Sequence, residues 1–399
     1  MRGLAAVGAV VFVAACAADP DPALEQQPSG GEGTAATAMG TEGASSDTGG
    51  TTAGASGEGM ADESGSSTGD DACLCAPGTD LIYVVSDSGE LWSYDPPANT
   101  FALIGALACG GFAPFSMAVD RTGRAWLMLL DNIAHSTVAK GLFTVDINDP
   151  SDCEAVGYTE GLFGVFGMSF VDNPPPQACE ELFVHSYSGN GPFAEGDGIG
   201  MIGKLDPDNV MQVVGASDFD GAELAGTSEG RMFSIAGSEP LKLIEYDRET
   251  AAELGRLELD GLEKTSASAM AFYGGDFYVF TEAGAPECEG CLETQCTDQL
   301  AACEADPDCA PVLACLYASG GQGAPGCEGD IIGPGGPLRD CLLDQCTDAC
   351  AVANVVSKVT HVDYDDSDGA GQGITVVEAA APVRIVGAAS STCVPVSVP

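Results

Sequence analysis

The chain has 399 residues, with 60 Asp and Glu against 13 Lys and Arg and a formal net charge of −47. That balance excludes nucleic acid and anionic lipid surfaces as partners, leaves divalent cations and basic surfaces open, and suits a soluble exported protein. Seventeen cysteines are an odd number, so one would stay unpaired in an oxidising compartment.

Met1 and Arg2 precede an apolar run, Gly3–Val13. It is too short to span a bilayer, which needs ~20 residues, and has the layout of a secretory signal. The run ends in Val13-Ala14-Ala15-Cys16, which resembles the lipobox of bacterial lipoproteins. That resemblance implies removal of residues 1–15, a diacylglycerol on the Cys16 thiol and acylation of its amine. It makes the lipid the membrane contact and the outer membrane or cell surface the address. Setting Cys16 aside leaves sixteen cysteines, enough for eight disulfides: Cys73, Cys75, Cys109, Cys153, Cys179, Cys288, Cys291, Cys296, Cys303, Cys309, Cys315, Cys327, Cys341, Cys346, Cys350 and Cys393. The spacing alone leaves their connectivity open. From Ala17 to Asp71 there is no Lys, Arg or aromatic residue, only small residues, acids and a few others. Such a segment cannot bury enough apolar surface to offset its ordering entropy, so residues 16–72 read as a disordered tether reaching roughly 40 Å.

Residues 73–285 and 352–399 repeat a unit of four short strands. Its clearest hairpin is Phe115–Leu129, where two apolar runs flank Asp120-Arg121-Thr122-Gly123-Arg124. The third strand of each unit ends in a hydrophobic residue and Asp: Tyr94-Asp95, Val145-Asp146, Leu205-Asp206, Tyr246-Asp247 and Val362-Asp363. Asp suits that place because its side chain caps the N–H groups of the following turn. The second strands each carry an aromatic residue, Tyr83, Trp126, Phe183, Phe233 and Phe277, expected to pack between neighbouring sheets. First strands are read at Phe115–Val119, Val165–Val171, Ala222–Thr227 and Ser268–Tyr273. The unit beginning near Leu81 lacks one, and Val383–Gly387 at the far end supplies it. A C-terminal strand completing an N-terminal sheet closes a ring and removes exposed edges. The fold expected is therefore an all-β, five-bladed β-propeller, or a six-bladed one should Asp131–Lys140 hide further strands.

Pro114–Asp120, Phe166-Gly167-Met168, Ala222-Glu223-Leu224, Tyr273–Phe277, Arg384–Gly387 and Ser391-Thr392-Cys393 together resemble a family of propeller lipoproteins abundant in myxobacteria. The resemblance covers the chain from about Leu81 to its end, apart from one insertion, and implies no biochemical activity. Ala388-Ala389 stands where that family commonly has a further glycine.

The insertion, residues 286–351, holds ten of the cysteines. Cys291-Leu-Glu-Thr-Gln-Cys296-Thr-Asp recurs as Cys341-Leu-Leu-Asp-Gln-Cys346-Thr-Asp. Spacings of three to five put Cys and Leu on one helical face, and Gly336-Pro337 reads as a helix start. A small helical module stapled by five disulfides is expected, because so short a segment has little core of its own. It resembles cysteine-rich modules of other myxobacterial surface proteins. Cys288-Glu-Gly-Cys291 has redox or zinc spacing, but no βαβ context or nearby His accompanies it, so structural disulfides are expected.

Gly226-Thr-Ser-Glu-Gly230 matches the nucleophile-elbow pattern yet joins two strands instead of a strand and a helix, so it reads as a hairpin turn. His135, His185 and His361 fall on different blades and make no metal-spaced set. Asp363–Gly369 misses the EF-hand pattern and leaves a looser Ca²⁺ site as the single cofactor in view. Glu223 and Arg384 are placed on first strands lining the central channel, where a charge needs a partner or water. A salt bridge between them is expected, with a channel ligand as the alternative. These residues point to a binding module at the envelope with a protein or glycan partner, not to an enzyme. The competing class is a propeller hydrolase or lyase of the Ca²⁺-assisted lactonase or glycan-degrading type, and a structural envelope component is a third.

Overall fold

The computed structural model describes residues 73–131, 139–159, 161–173, 179–188, 193–237, 240–262, 265, 267–306, 309, 335–350, 354–364 and 372–397. The expected signal and tether, Cys16, Cys315, Cys327, His135 and the acidic run after Tyr364 lie outside them.

Five four-stranded antiparallel sheets form a five-bladed β-propeller. Blade one comprises β1 (Ile82–Ser86), β2 (Glu90–Asp95) and β3 (Thr100–Ala106). Blade two is β4 (Ala113–Val119), β5 (Arg124–Leu130), β6 (Ala139–Asp146) and β7 (Asp149–Val156). Blade three is β8 (Val165–Asp172), β9 (Glu180–Tyr187), β10 (Ala194–Leu205) and β11 (Met211–Asp220). Blade four is β12 (Glu223–Gly226), β13 (Met232–Ala236), β14 (Leu241–Tyr246) and β15 (Glu253–Leu259). Blade five is β16 (Ser268–Tyr273), β17 (Asp276–Gly284), β18 (Val356–Asp363) and β19 (Gly373–Glu378). The last strand, β20 (Ile385–Ser390), pairs antiparallel with β1 and completes blade one. The innermost strands β20, β4, β8, β12 and β16 each touch the next, and β16 returns to β20. The ring is thus closed by β20, which gives β1 its inner partner, and the five inner strands stand side by side around the axis with their free edges turned to the centre.

Alternation along each strand explains why the blades stack. On β1, Ile82 and Val84 pack with Ala269, Phe280 and Val359 of blade five, whereas Tyr83 and Val85 pack with Met117, Leu127 and Val145 of blade two. Both faces of the sheet are buried because successive side chains point to opposite sides. Equivalent clusters lie between blades two and three, three and four, and four and five. Tyr83, Trp126, Phe183 and Phe233 all face the following blade. Phe277 instead turns back to meet Phe233, ring centroids 4.8 Å apart, while Tyr278 takes the side toward blade one.

In blades one to four the aspartate after the third strand caps its turn. Asp95, Asp146, Asp206 and Asp247 all accept hydrogen bonds from backbone N–H groups two to four residues on. Close approach of the inner strands requires glycine at two places. A Cβ on Gly167 would lie 2.2 Å from the Ala222 carbonyl oxygen, and one on Gly226 2.0 Å from that of Phe170.

The insertion leaves the β17–β18 hairpin as α1 (Pro286–Gln295) and α2 (Thr297–Glu304), and returns through α3 (Gly335–Gln345). Pro286 opens α1, where its fixed φ and missing N–H carry no penalty. Its buried face is made of Cys288, Leu292, Cys296, Leu300, Leu338 and Leu342 with their bridged partners, a core separate from those between blades.

Candidate ligand site at the mouth of the ring

Seven disulfides join described residues. Four lie inside the insertion: Cys288–Cys350, Cys291–Cys346, Cys296–Cys341 and Cys303–Cys309. Cys288 and Cys291 therefore bridge to different partners and form no redox pair. Cys109–Cys153 sits in the core shared by blades one and two. Cys73–Cys179 and Cys75–Cys393 pin the segment before β1 to blade three and to the C-terminal tail. This density of bridges fits an oxidising, extracytoplasmic compartment. Among the described residues, no helix is long and apolar enough to cross a membrane.

The inner strands begin around one cavity of about 220 Å³. Each blade contributes to its wall: Phe115 from blade two, Tyr187 from blade three, Glu223 from blade four, Ser268 from blade five, and Arg384 with Val386 beside and on β20. Phe193 also lines it, held with φ at +55°, an uncommon conformation for a side chain of that size. Phe115 and Tyr187 meet edge to face with centroids 5.5 Å apart.

Glu223 is only 7% exposed. Its Oε2 accepts a 2.8 Å hydrogen bond from Ser116 Oγ on β4, and Oε1 has no partner among the described residues. Burial pushes its carboxyl up to about 8, and the Ser116 hydrogen bond offsets only part of that. Burial and the charge of Asp220 also raise the Tyr187 hydroxyl, which therefore stays neutral near pH 7.

Both channel residues line this cavity, yet they do not pair with each other. Arg384 donates from Nε to Glu282 Oε1 at 2.7 Å, and its Nη1 lies 3.3 Å from Asp87 Oδ2. The reason is register. The strand expected at Val383–Gly387 instead runs from Ile385 to Ser390, so Arg384 precedes it. The small run Gly387-Ala388-Ala389 fills the ring, and Arg384 stays at the mouth with two carboxylates. There its backbone oxygen accepts from Asp87 N at 3.1 Å.

A second, more open cleft of about 600 Å³ lies where the insertion leaves the propeller, between Pro286 and Glu287 on one side and Asp87 and Val383 on the other. Arg384 lines both spaces. In this cleft the charges of Arg384 and Asp87 are already matched, whereas the inner cavity holds a carboxyl with one oxygen to spare.

The remaining motifs are structural. Gly226–Gly230 is the β12–β13 turn, held by Thr227 Oγ1 accepting from Glu229 N and Arg231 N. His185 is fully buried against Ser217, and His361 Nε2 lies 2.9 Å from Asp276. Among the described residues, no cluster of His, Cys, Asp or Glu is arranged to hold a metal ion. The sequence reading left out Ser116, Tyr187, Phe193, Glu282 and Asp87. Glu282 carried the clearest signal, as an acid closing an apolar strand, because such a residue needs a nearby cation.

No protein family matches the chain, and no curated protein sequence does. Several solved structures match part of the chain at low identity. One is a luciferin-regenerating enzyme, 14% identical with a TM-score of 0.33, covering 52% of this chain and 67% of that one. Another is the PQQ-bound aldose sugar dehydrogenase of Streptomyces coelicolor, 12% identical with a TM-score of 0.33, covering 52% and 72%. A third, YjhT, is 11% identical with a TM-score of 0.34, covering 56% and 75%. Overlap this slight carries no argument about activity.

Proposed function

We propose that this protein is an exported propeller, lipid-anchored through Cys16 at the outer membrane or cell surface, that binds a small ligand in its central cavity. The helical module beside the mouth offers a second contact surface for a protein or glycan partner. The disulfides and the leader motif support the address, and the resemblance to myxobacterial propeller lipoproteins agrees with it. One observation carries the binding reading. A buried carboxyl with an unpartnered oxygen faces a cavity walled by all five blades. That oxygen is open to the cavity, so a ligand that donates to it gains a hydrogen bond in a largely desolvated setting. A hydrolytic reading would ask Glu223 to act beside a second carboxylate or a nucleophile. Among the described residues, the wall holds no second carboxylate, and the hydroxyls of Ser116 and Ser268 have no histidine on it to activate them, so binding is the stronger reading.

The test uses full-length protein purified from membranes and a thermal-shift screen of amino sugars, diamines, short peptides and neutral oligosaccharides. At least one compound should raise the melting temperature saturably. Val386→Trp or Ser268→Phe, each filling the cavity, should cancel the shift with the disulfide pattern intact. A screen without a stabilising compound, or shifts that survive filling, would overturn the reading. In parallel, Cys16→Ser should release the protein from membranes or leave it uncleaved.

A further inference from the structure

The charges around the central cavity do not balance. Arg384 is the cation on its wall, and its guanidinium is held by Glu282, at 2.6 Å from Nη2, and by Asp87. Two carboxylates against one guanidinium leave the mouth negative before Glu223 is counted. The spare oxygen of Glu223 therefore faces a space that favours positive charge. The whole chain adds to that field with its net charge of −47, which concentrates cations at the surface. The remaining wall is apolar and aromatic, with Phe115, Tyr187 and Phe193 around the carboxyl. Aromatic faces attract cations and cover the carbon skeleton that carries them. At about 220 Å³ the space falls below the usual range for drug-sized ligands, so its occupant is compact.

We infer that the central cavity is a site for a compact primary ammonium ion, with the ammonium group donating to Glu223 Oε1 and its carbon chain lying against Phe115, Tyr187 and Phe193. The inference rests on the cavity being a ligand site and names the class of ligand. An amino sugar, a small diamine and the end of a lysine side chain all present this group.

Binding carries a proton signature. Glu223 is protonated in the empty protein at pH 7, because burial raises its carboxyl to about 8. An ammonium ion binds the carboxylate, so each binding event below pH 8 releases that proton to solvent. Affinity should rise about tenfold per pH unit from pH 6 to 7 and level off above 8, while the aliphatic ammonium, near 10.4, stays charged. The neighbouring ionisable groups are Tyr187 and His185 on β9, Asp220 at the end of β11, and Arg384 with Glu282 and Asp87. The Tyr187 hydroxyl is raised by burial, and His185 is held near pH 4. Asp172 on β8 and Tyr273 on β16 lie at the opposite ends of strands whose beginnings adjoin Glu223.

The experiment is isothermal titration of the full chain with butane-1,4-diamine, glucosamine and N-acetyl-lysine amide, with butane-1,4-diol as the neutral match. Runs at pH 6, 7 and 8, in buffers of different ionisation enthalpy, count the protons released. At least one amine should bind, release close to one proton at pH 6, and lose at least tenfold in affinity on Glu223→Gln. Ser116→Ala, which keeps the carboxyl but removes its hydrogen bond, should weaken binding at pH 7 without abolishing it. Which amine binds best identifies the source of the ammonium group. Equal binding of diol and diamine, or binding retained by Glu223→Gln, overturns the inference. Calcium chloride that binds through Glu223 and excludes the amines does so as well. A neutral oligosaccharide whose binding is cancelled by Val386→Trp would remove the ammonium site while leaving the cavity a ligand site.

Discussion

His185 lies wholly inside blade three, with Nε2 3.1 Å from Ser217 Oγ, and burial holds its imidazole near pH 4. An unfolded histidine takes its proton near 6.5, so stability falls as the pH drops from 6.5 toward 4. Glu223 acts in the opposite sense. Its carboxyl titrates near 4.5 when exposed and near 8 when folded. Across that window the native chain holds a proton that the unfolded chain has lost. Stability therefore declines as the pH rises from 4.5 to 8, by up to ~1.4 kcal/mol per unit, and is flat beyond. Glu223→Gln should remove this slope. Its advantage over the parent in urea unfolding should grow between pH 5 and 8 and then stay constant. A difference that does not change with pH would mean that Glu223 is solvated. At this scale the sequence was legible where chemistry is local. Asp95, Asp146, Asp206 and Asp247 bind N–H groups two to four residues away, and a pattern of hydrophobic residue, Asp and polar turn states that directly. The partners of Glu223 and Arg384 come from strands far apart in the chain. A two-residue error in where β20 begins was enough to pair them wrongly.

The helical insertion shows the same boundary at the scale of elements. Its repeat announced two matching helices, but sixteen cysteines do not declare their partners. In the structure the repeat acts through its offset of fifty residues, which relates α1 to α3 by an approximate two-fold. Cys291 pairs with Cys346 and Cys296 with Cys341, so each bridge is the other's mate. Thr297 and Thr347 donate equivalent 2.6 Å hydrogen bonds to Glu293 and Leu343 carbonyls. The third bridge, Cys288–Cys350, has no such mate. The matching positions are Leu338 and Leu300, both buried in the same small core. Apolar contact thus occupies on one side the place that a disulfide takes on the other. The symmetry makes a definite prediction. Leu300→Cys combined with Leu338→Cys should form a further bridge during oxidative folding. Non-reducing peptide mapping would detect it, and two alkylatable thiols at those positions would show that the symmetry does not extend that far. The four described bridges of the module never reach the propeller, so the new one should leave the blades unchanged.

For the whole molecule, five aspartate-marked turns and five aromatic second strands were enough to count the blades, because every blade needs the same turn and the same two-sided burial. The orphan strand at the C-terminus was enough to infer closure. Neither pattern revealed how the closed ring is fastened. The segment from Cys73 to Asp80 belongs to no blade. It lies at the end of the ring where the inner strands finish, opposite the cavity. Ala76 N donates to the Arg121 carbonyl at 2.8 Å, and Ser391 Oγ donates to that of Thr79 at 3.1 Å. Arg121 itself joins Asp172 of blade three and Thr392 of the tail. Cys75–Cys393 then locks the two ends across 318 residues of sequence. Opening a propeller requires β20 to leave β1, and this bridge forbids the ends to separate even when that pairing fails. Cross-linking over so long a loop restricts the unfolded chain strongly, and loss of a native bridge costs roughly 2–5 kcal/mol. Replacing both Cys75 and Cys393 by Ala should therefore lower the calorimetric melting temperature of the propeller by roughly 5–15 °C. Replacing Cys296 and Cys341 by Ala is the contrast. That bridge fastens only α1 to α3, so the main transition should keep its midpoint. Equal shifts from the two pairs would mean that the module and the ring melt as one unit. An unchanged midpoint on removing Cys75–Cys393 would place the closure of the ring in the β20–β1 pairing and the Arg121 cluster alone.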